Sequence, residues 1–147
     1  MRVIGVVQRR ESGRPEIVYG RRCPLDMIEH EVRVTDLALL FPDSLFARGV
    51  KVGRTEADAV MMRNDQRCYI EVDNSGKMTQ KQMQAKWKRY EGVTGFILVI
   101  AVTESRMERL RKGAEAVKNI ALFTTFERLH SGKNEPWIDW YGQTTGM

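Results

Sequence analysis

The stretch from Arg54 to Lys77, RTEADAVMMRNDQRCYIEVDNSGK, constrains the fold more than any other part of the chain. Ala57, Ala59 and Met61 alternate with Glu56, Asp58 and Val60. Further on, Cys68, Ile70 and Val72 alternate with Tyr69, Glu71 and Asp73. A period of two marks half-buried strands. Between them lies Arg63-Asn64-Asp65-Gln66, whose Asn and Asp tolerate positive φ. A two-residue Asn64-Asp65 turn sets Asp58 opposite Glu71 and Glu56 opposite Asp73, with all four carboxylates on one face. A one-residue slip in the turn would carry one strand's acids to the other face.

Directly opposed like charges destabilise a strand pair. One resolution is a hard divalent cation, which takes one or two carboxylates together with water and phosphate oxygens. Glu56, Asp58, Glu71 and Asp73 are therefore candidate ligands for Mg²⁺ or Mn²⁺. The other resolution is a solvated acidic face, with Arg54, Arg63, Arg67 or Lys77 as counter-charge.

The remaining segments supply an α/β frame. RVIGVVQR and EIVYG read as a strand hairpin around the turn cluster ESGRP. Arg9, Arg10 and Arg14 would let it lie along a DNA backbone; the alternative is a soluble surface hairpin with no such role. Pro24 suits a helix start and Pro42 marks its end. In that helix Leu25, Ile28, Val32 and Leu39 share one face. His30 and Glu31 fall on an adjacent face and are candidates to support the acidic hairpin from behind. Residues 44–52 predict a strand. Thr79 with Gln82 predicts a capping box opening a helix, with Met83, Trp87 and Tyr90 as its buried stripe. Lys86 falls between Met83 and Tyr90, where a lysine must snorkel or pair. Lys77, Lys81, Lys88 and Arg89 surround this helix with positive charge.

GFILVIAV lacks alternation and predicts a central strand buried on both faces. Ser105 with Glu108 predicts the cap of a helix through ESRMERLRKGAEAVK, with Arg106, Arg109, Arg111 and Lys112 outward. NIALFTTF predicts a strand parallel to the preceding one through a right-handed crossover. Gly132 to Pro136 reads as a loop. Trp137, Trp140 and Tyr141 suit core packing more than base stacking, and the tail is expected to fray. The sum is an α/β fold with a mixed β-sheet flanked by helices and an N-terminal β-hairpin. Domain organisation is read as residues 1–22, a basic wing-like hairpin, and residues 23–147, an α/β domain.

Composition narrows function only broadly. A net charge of +5 over 147 residues favours a polyanionic partner without requiring one. Cys23 and Cys68 form no metal spacing and no disulfide framework. No apolar run is long enough to span a membrane and no signal-peptide pattern opens the chain, so a cytoplasmic setting is expected. A homodimer is compatible with the sequence.

Acids on the second and third strands of a meander, followed at once by a lysine-bearing helix, resemble the PD-(D/E)XK nuclease superfamily. Glu56-Ala57-Asp58 matches the first half of the motif, with Asp58 as its aspartate. Glu71-Val72-Asp73 matches the second, with Glu71 as its acid and Asp73 where the lysine usually stands. In some members that lysine has moved to the following helix, where Lys86 or Lys81 could serve. Lys86 to Tyr90 has the spacing of the Q-x-x-x-Y motif of RecB-like nucleases, with Lys in place of Gln. The segments EADAVM, CYIEVDNSGK, KWKRY, FILVIAVTESRMERLRK and LFTTFERL are more specifically similar to the plasmid replication-relaxation family. GRPEIVYG resembles the wing of that family's winged helix. The likeness spans most of residues 14–141.

The resemblance implies a restriction-endonuclease-like core and a Mg²⁺- or Mn²⁺-dependent DNA endonuclease or nickase linked to a mobile element. Asp58, Glu71, Asp73 and Lys86 would be the catalytic set, and Asp58, Glu71, Glu56 and Asp73 the metal ligands. Arg9, Arg10, Arg14, Lys77, Lys81, Lys88 and Arg89 would hold DNA, with His30, Glu31 and Tyr90 supporting the site. The alternative is a nuclease-like module that binds DNA without cutting it, for which Asp73 at the lysine position speaks. A protein-interaction domain is the third reading.

Overall fold

The computed structural model describes residues 2–7, 16–20, 24, 27–74 and 77–146, with side chains from residue 24 onward. The chain divides into two compact units, Met1–Pro42 and Asp43–Met147. The boundary expected from sequence lies after residue 22; the helix that follows it belongs to the first unit.

The first unit holds two antiparallel strands, β1 (Arg2–Val7) and β2 (Glu16–Gly20), with an irregularity between Val3 and Gly5. Arg9, Arg10 and Arg14 lie outside the described residues. Helix α1 spans Ile28–Leu40. Its buried residues are Ile28, Arg33, Val34 and Leu37, and Arg33 is held by Glu29 one turn back at 2.8 Å. Leu39, expected on the apolar face, is 73% exposed. The stripe through Ile28, Val34 and Leu37 carries the burial instead.

The second unit is a seven-stranded mixed sheet flanked by helices. Its strands are β3 (Leu45–Val52), β4 (Thr55–Arg63), β5 (Gln66–Asp73), β6 (Phe96–Ala101), β7 (Ala121–Thr125), β8 (Trp137–Asp139) and β9 (Thr144–Thr145), and they lie side by side in that order. β3, β4 and β5 form an antiparallel meander, and β5, β6 and β7 run parallel. Helix α2 (Gln80–Lys88) connects β5 to β6, and α3 (Glu104–Lys112) connects β6 to β7.

Local chemistry accounts for the joints. Asn64 and Asp65 have φ of 50° and 60°, the paired positive values of a tight hairpin turn. Thr79 and Gln82 form the reciprocal capping box that starts α2. Gly95 has φ +122°, and a Cβ there would lie 2.4 Å from the Arg67 carbonyl oxygen. Only glycine lets β6 enter so close beside β5.

The core that matters for the site lies between the sheet and the two connecting helices. Met83, Trp87 and Tyr90 from the α2 segment and Met107 and Leu110 from α3 pack with Tyr69, Ile97, Val99 and Phe123. Leu98 and Ile100 are also buried, so β6 is covered on both faces, as an unbroken apolar run requires.

Four expectations are corrected. Thr103, not Ser105, caps α3 by accepting from the Arg106 N–H, and the helix stops at Lys112 before Gly113. Arg106, read as an outward residue, is only 5% exposed. The stretch expected to fray is paired over residues 137–145: Trp137 and Ile138 pair with Thr145 and Thr144, and Trp137 is buried. Phe126–His130, whose first residue was read as strand, forms a short helix, α4. Among the described residues no helix is long and apolar enough to cross a membrane.

Candidate functional site

The β4–β5 ladder follows the expected register from Arg63↔Gln66 to Ala59↔Ile70. There the backbone pairing ends, and a side chain takes over. Asp58 Oδ2 accepts a hydrogen bond from the Val72 backbone N–H at 2.7 Å. This ties the Asp58 carboxylate to β5 one residue beyond Glu71.

Glu71 is 2% exposed. Its Oε2 lies 2.6 Å from Lys86 Nζ, and its Oε1 accepts from the Tyr90 hydroxyl at 2.5 Å. Lys86 stands in the last turn of α2 and Tyr90 in the turn that follows it, and both reach Glu71 on β5. Of the two candidate lysines, Lys86 is the one that reaches Glu71, while Lys81 is exposed on the first turn of α2.

The electrostatics follow from this packing. Burial pushes the Glu71 carboxyl above its ordinary value, the Lys86 ammonium pulls it back, and the Asp58 charge pushes it up again. Burial and the neighbouring Glu71 carboxylate hold the Tyr90 phenol protonated, so Tyr90 serves Glu71 as a hydrogen-bond donor. Asp58, Glu71, Lys86 and Tyr90 thus act on one another as one group.

The four carboxylates do not assemble as the extended ladder would have had them. Past Ala59 the strands no longer pair, so Glu56 is not opposite Asp73. Glu56 is exposed and lines a cleft. Asp73 is engaged by α3, with Arg106 Nε 2.5 Å from Oδ2 and Nη2 3.2 Å from Oδ1. Among the described residues no three acidic, histidine or cysteine side chains gather as a metal cage. His30 and Glu31 stand on α1 in the first unit, their side chains 3.7 Å apart.

Sequence reasoning missed Arg106 as the partner of Asp73. The signal was the parallel register. Asp73 is level with Ala101, and α3 begins three residues after Ala101, so its first turn rises over the end of β5.

Beside Lys86 opens a cleft of about 950 Å³. Lys77, Lys86 and Arg89 line it from the α2 side, and Lys51 at the end of β3 and Arg54 in the β3–β4 turn from the other; among the described residues Glu56 is its one carboxylate. Lys88 is exposed on α2 and does not line this cleft.

A divalent ion of the Mg²⁺ kind needs only one or two protein carboxylates and takes its other ligands from water and phosphate. Asp58 and Glu71 would be the acids to supply them, and here they are engaged by the Val72 N–H, Lys86 and Tyr90. Binding there requires Glu71 ionised and Lys86 displaced from Oε2, a movement open to a side chain at the margin of a cleft. No family model, no curated protein and no solved structure matches the chain.

Proposed function

We infer that the protein is a divalent-metal-dependent nuclease that hydrolyses phosphodiester bonds in DNA. In type it is a PD-(D/E)XK enzyme with the lysine moved to the helix. Within that superfamily it resembles the plasmid replication-relaxation proteins of mobile elements. The observation that carries this reading is Lys86 Nζ at 2.6 Å from Glu71, beside Asp58, at the edge of a cationic cleft. The order of elements supports it too: a helix, a three-strand meander carrying the acids, the lysine helix, then a parallel strand.

Asp58 and Glu71 would hold the Mg²⁺ or Mn²⁺. When bound, the ion would polarise the scissile phosphate and lower the pKa of an attacking water. The chain's own groups have separate tasks. The Val72 N–H fixes Asp58, and the Tyr90 hydroxyl fixes one oxygen of Glu71, so neither acid has to be ordered when substrate arrives. Lys86, freed from Glu71, holds its proton on Nζ and offsets charge that builds up on the phosphate oxygens.

Supercoiled plasmid incubated with Mg²⁺ or Mn²⁺ tests the reading. Nicking by the wild type should vanish in Asp58→Ala and Glu71→Ala and fall about 100-fold in Lys86→Ala. Equal nicking by all four proteins would end it.

One observation favours a second reading, a DNA-binding module that does not cut. Both Glu71 oxygens are already engaged by the protein. That module would retard DNA equally with and without chelator and would never nick it.

A further inference from the structure

The cleft beside Lys86 has two walls from different parts of the second unit. One is the β3–β4 hairpin end, which contributes Lys51 from β3, Arg54 from the turn and Thr55 from the start of β4. The other is α2 with its flanks, which contributes Lys77, Lys86 and Arg89. The walls approach closely at one point: a Cβ on Gly53, whose φ is +57°, would lie 3.8 Å from the Arg89 carbonyl oxygen. Lys51, Arg54 and Arg89 are exposed. Glu56 lies across from Lys51 in the ladder and offsets one charge. Lys86 is held by Glu71. Among the described residues Arg54 and Arg89 pair with no carboxylate, so the concave surface keeps net positive charge that focuses attraction for a polyanion.

What the cleft lacks is equally informative. Among the described residues no aromatic side chain lines it, so it offers no platform on which bases could stack. Among the same residues Gln82 and Thr55 are its only uncharged polar side chains, too few to read a run of base edges.

We propose that this cleft seats the phosphodiester backbone of a nucleic-acid strand, with Lys51 at the end of β3 and Arg54 in the β3–β4 turn as phosphate contacts facing those of α2. The site recognises charge and spacing, not sequence. Because Lys86 belongs both to the cleft and to the Glu71 pair, a seated backbone leads toward Asp58 and Glu71. In that respect the proposal rests on the nuclease reading, yet the binding it describes needs no cutting.

Binding of the full chain to a labelled oligothymidylate of about 12 nucleotides, followed by fluorescence anisotropy in EDTA between about 50 and 200 mM salt, tests it. For a single strand, each phosphate that the protein no longer neutralises flattens the slope of log K against log salt by about 0.7. Lys51→Ala with Arg54→Ala should flatten it by about 1.4 and weaken binding about tenfold. A mixed-sequence oligonucleotide of the same length should behave alike. Arg109→Ala with Lys112→Ala removes the same charge from exposed positions of α3 that do not line the cleft, and should leave the slope unchanged.

Equal slopes for the Lys51/Arg54 variant and the wild type would overturn the proposal. So would equal flattening by both double variants, or a strong preference between the two oligonucleotides. Plasmid nicking separates the two ideas. A flattened slope with no nicking by any protein leaves the cleft standing and removes the nuclease. Nicking that depends on Asp58, with an unaltered slope, does the reverse.

Discussion

Glu71 and Asp73 stand two residues apart on β5, and each meets a cation from a connecting helix. The Asp73 pair is closed: an arginine grips both carboxylate oxygens, and the two side chains are 5% and 12% exposed. The Glu71 pair is closed on the acid's side and open on the lysine's, with 3% of Glu71 and 27% of Lys86 exposed. A guanidinium is permanently charged and matches a carboxylate in its fixed fork geometry. An ammonium on a flexible stem beside a cleft can move away and return. The comparison separates a closed pair from a half-open one: Asp73 locks α3 to the sheet, and Glu71 is held by a lysine that keeps one side to solvent, as the proposed chemistry would need.

Three measurements can break or sharpen that contrast. The largest effect is expected from Arg106→Met, which strands the Asp73 carboxylate in the interior and should cost about 3–5 kcal/mol in urea unfolding. Replacing Asp73 and Arg106 together by leucine should recover most of that loss. A loss below about 1 kcal/mol for Arg106→Met would mean the pair is not the lock described.

Lys86→Met should cost less, about 1–3 kcal/mol at neutral pH, because Glu71 can take up a proton when its partner is gone. The sign of the pH dependence follows. Burial already holds the folded-state Glu71 carboxyl above its ordinary 4.5, and loss of Lys86 raises it further. A raised folded pKa contributes stability that is complete below the unfolded value and is lost as pH rises through the folded one. The deficit of Lys86→Met should therefore be small in acid and grow toward neutrality as pH rises through the wild type's folded-state value, which lies above 4.5. Urea midpoints across that range check this, and a deficit independent of pH would contradict the buried charge at Glu71.

Tyr90→Phe should show the smallest effect, about 1 kcal/mol by thermal unfolding, since it removes one hydrogen bond and keeps the ring in the core. A loss as large as that of Arg106→Met would make the Glu71 centre as rigid as the Asp73 lock and erase the difference between them.

Where neighbours in sequence decide the structure, the chain could be read. Asn64-Asp65 specifies a hairpin because both residues tolerate positive φ, and the alternation on either side then fixes the register. Thr79 and Gln82 lie within one helical turn, so the start of α2 was legible, and so was the common face of Lys86 and Tyr90. The acid pair was legible in part. Register brings Asp58 to the level of Glu71, but nothing local says that the ladder ends at Ala59 and that Asp58 then bonds the Val72 N–H. Arg106 sat in a run of charges that reads as solvated surface; its spacing to Met107 and Leu110 puts it at the flank of the buried stripe, unlike Arg109, but does not name the acid it meets.

Turn chemistry, period and capping were written into the sequence, because each is settled by residues a few positions apart. Which cation answers which acid was settled only by the folded molecule. The parallel register of β5 with β6 lifts the first turn of α3 over Asp73 and leaves Glu71 to α2. That choice depends on strands far apart in the chain, and a buried carboxylate takes whichever cation the packing delivers.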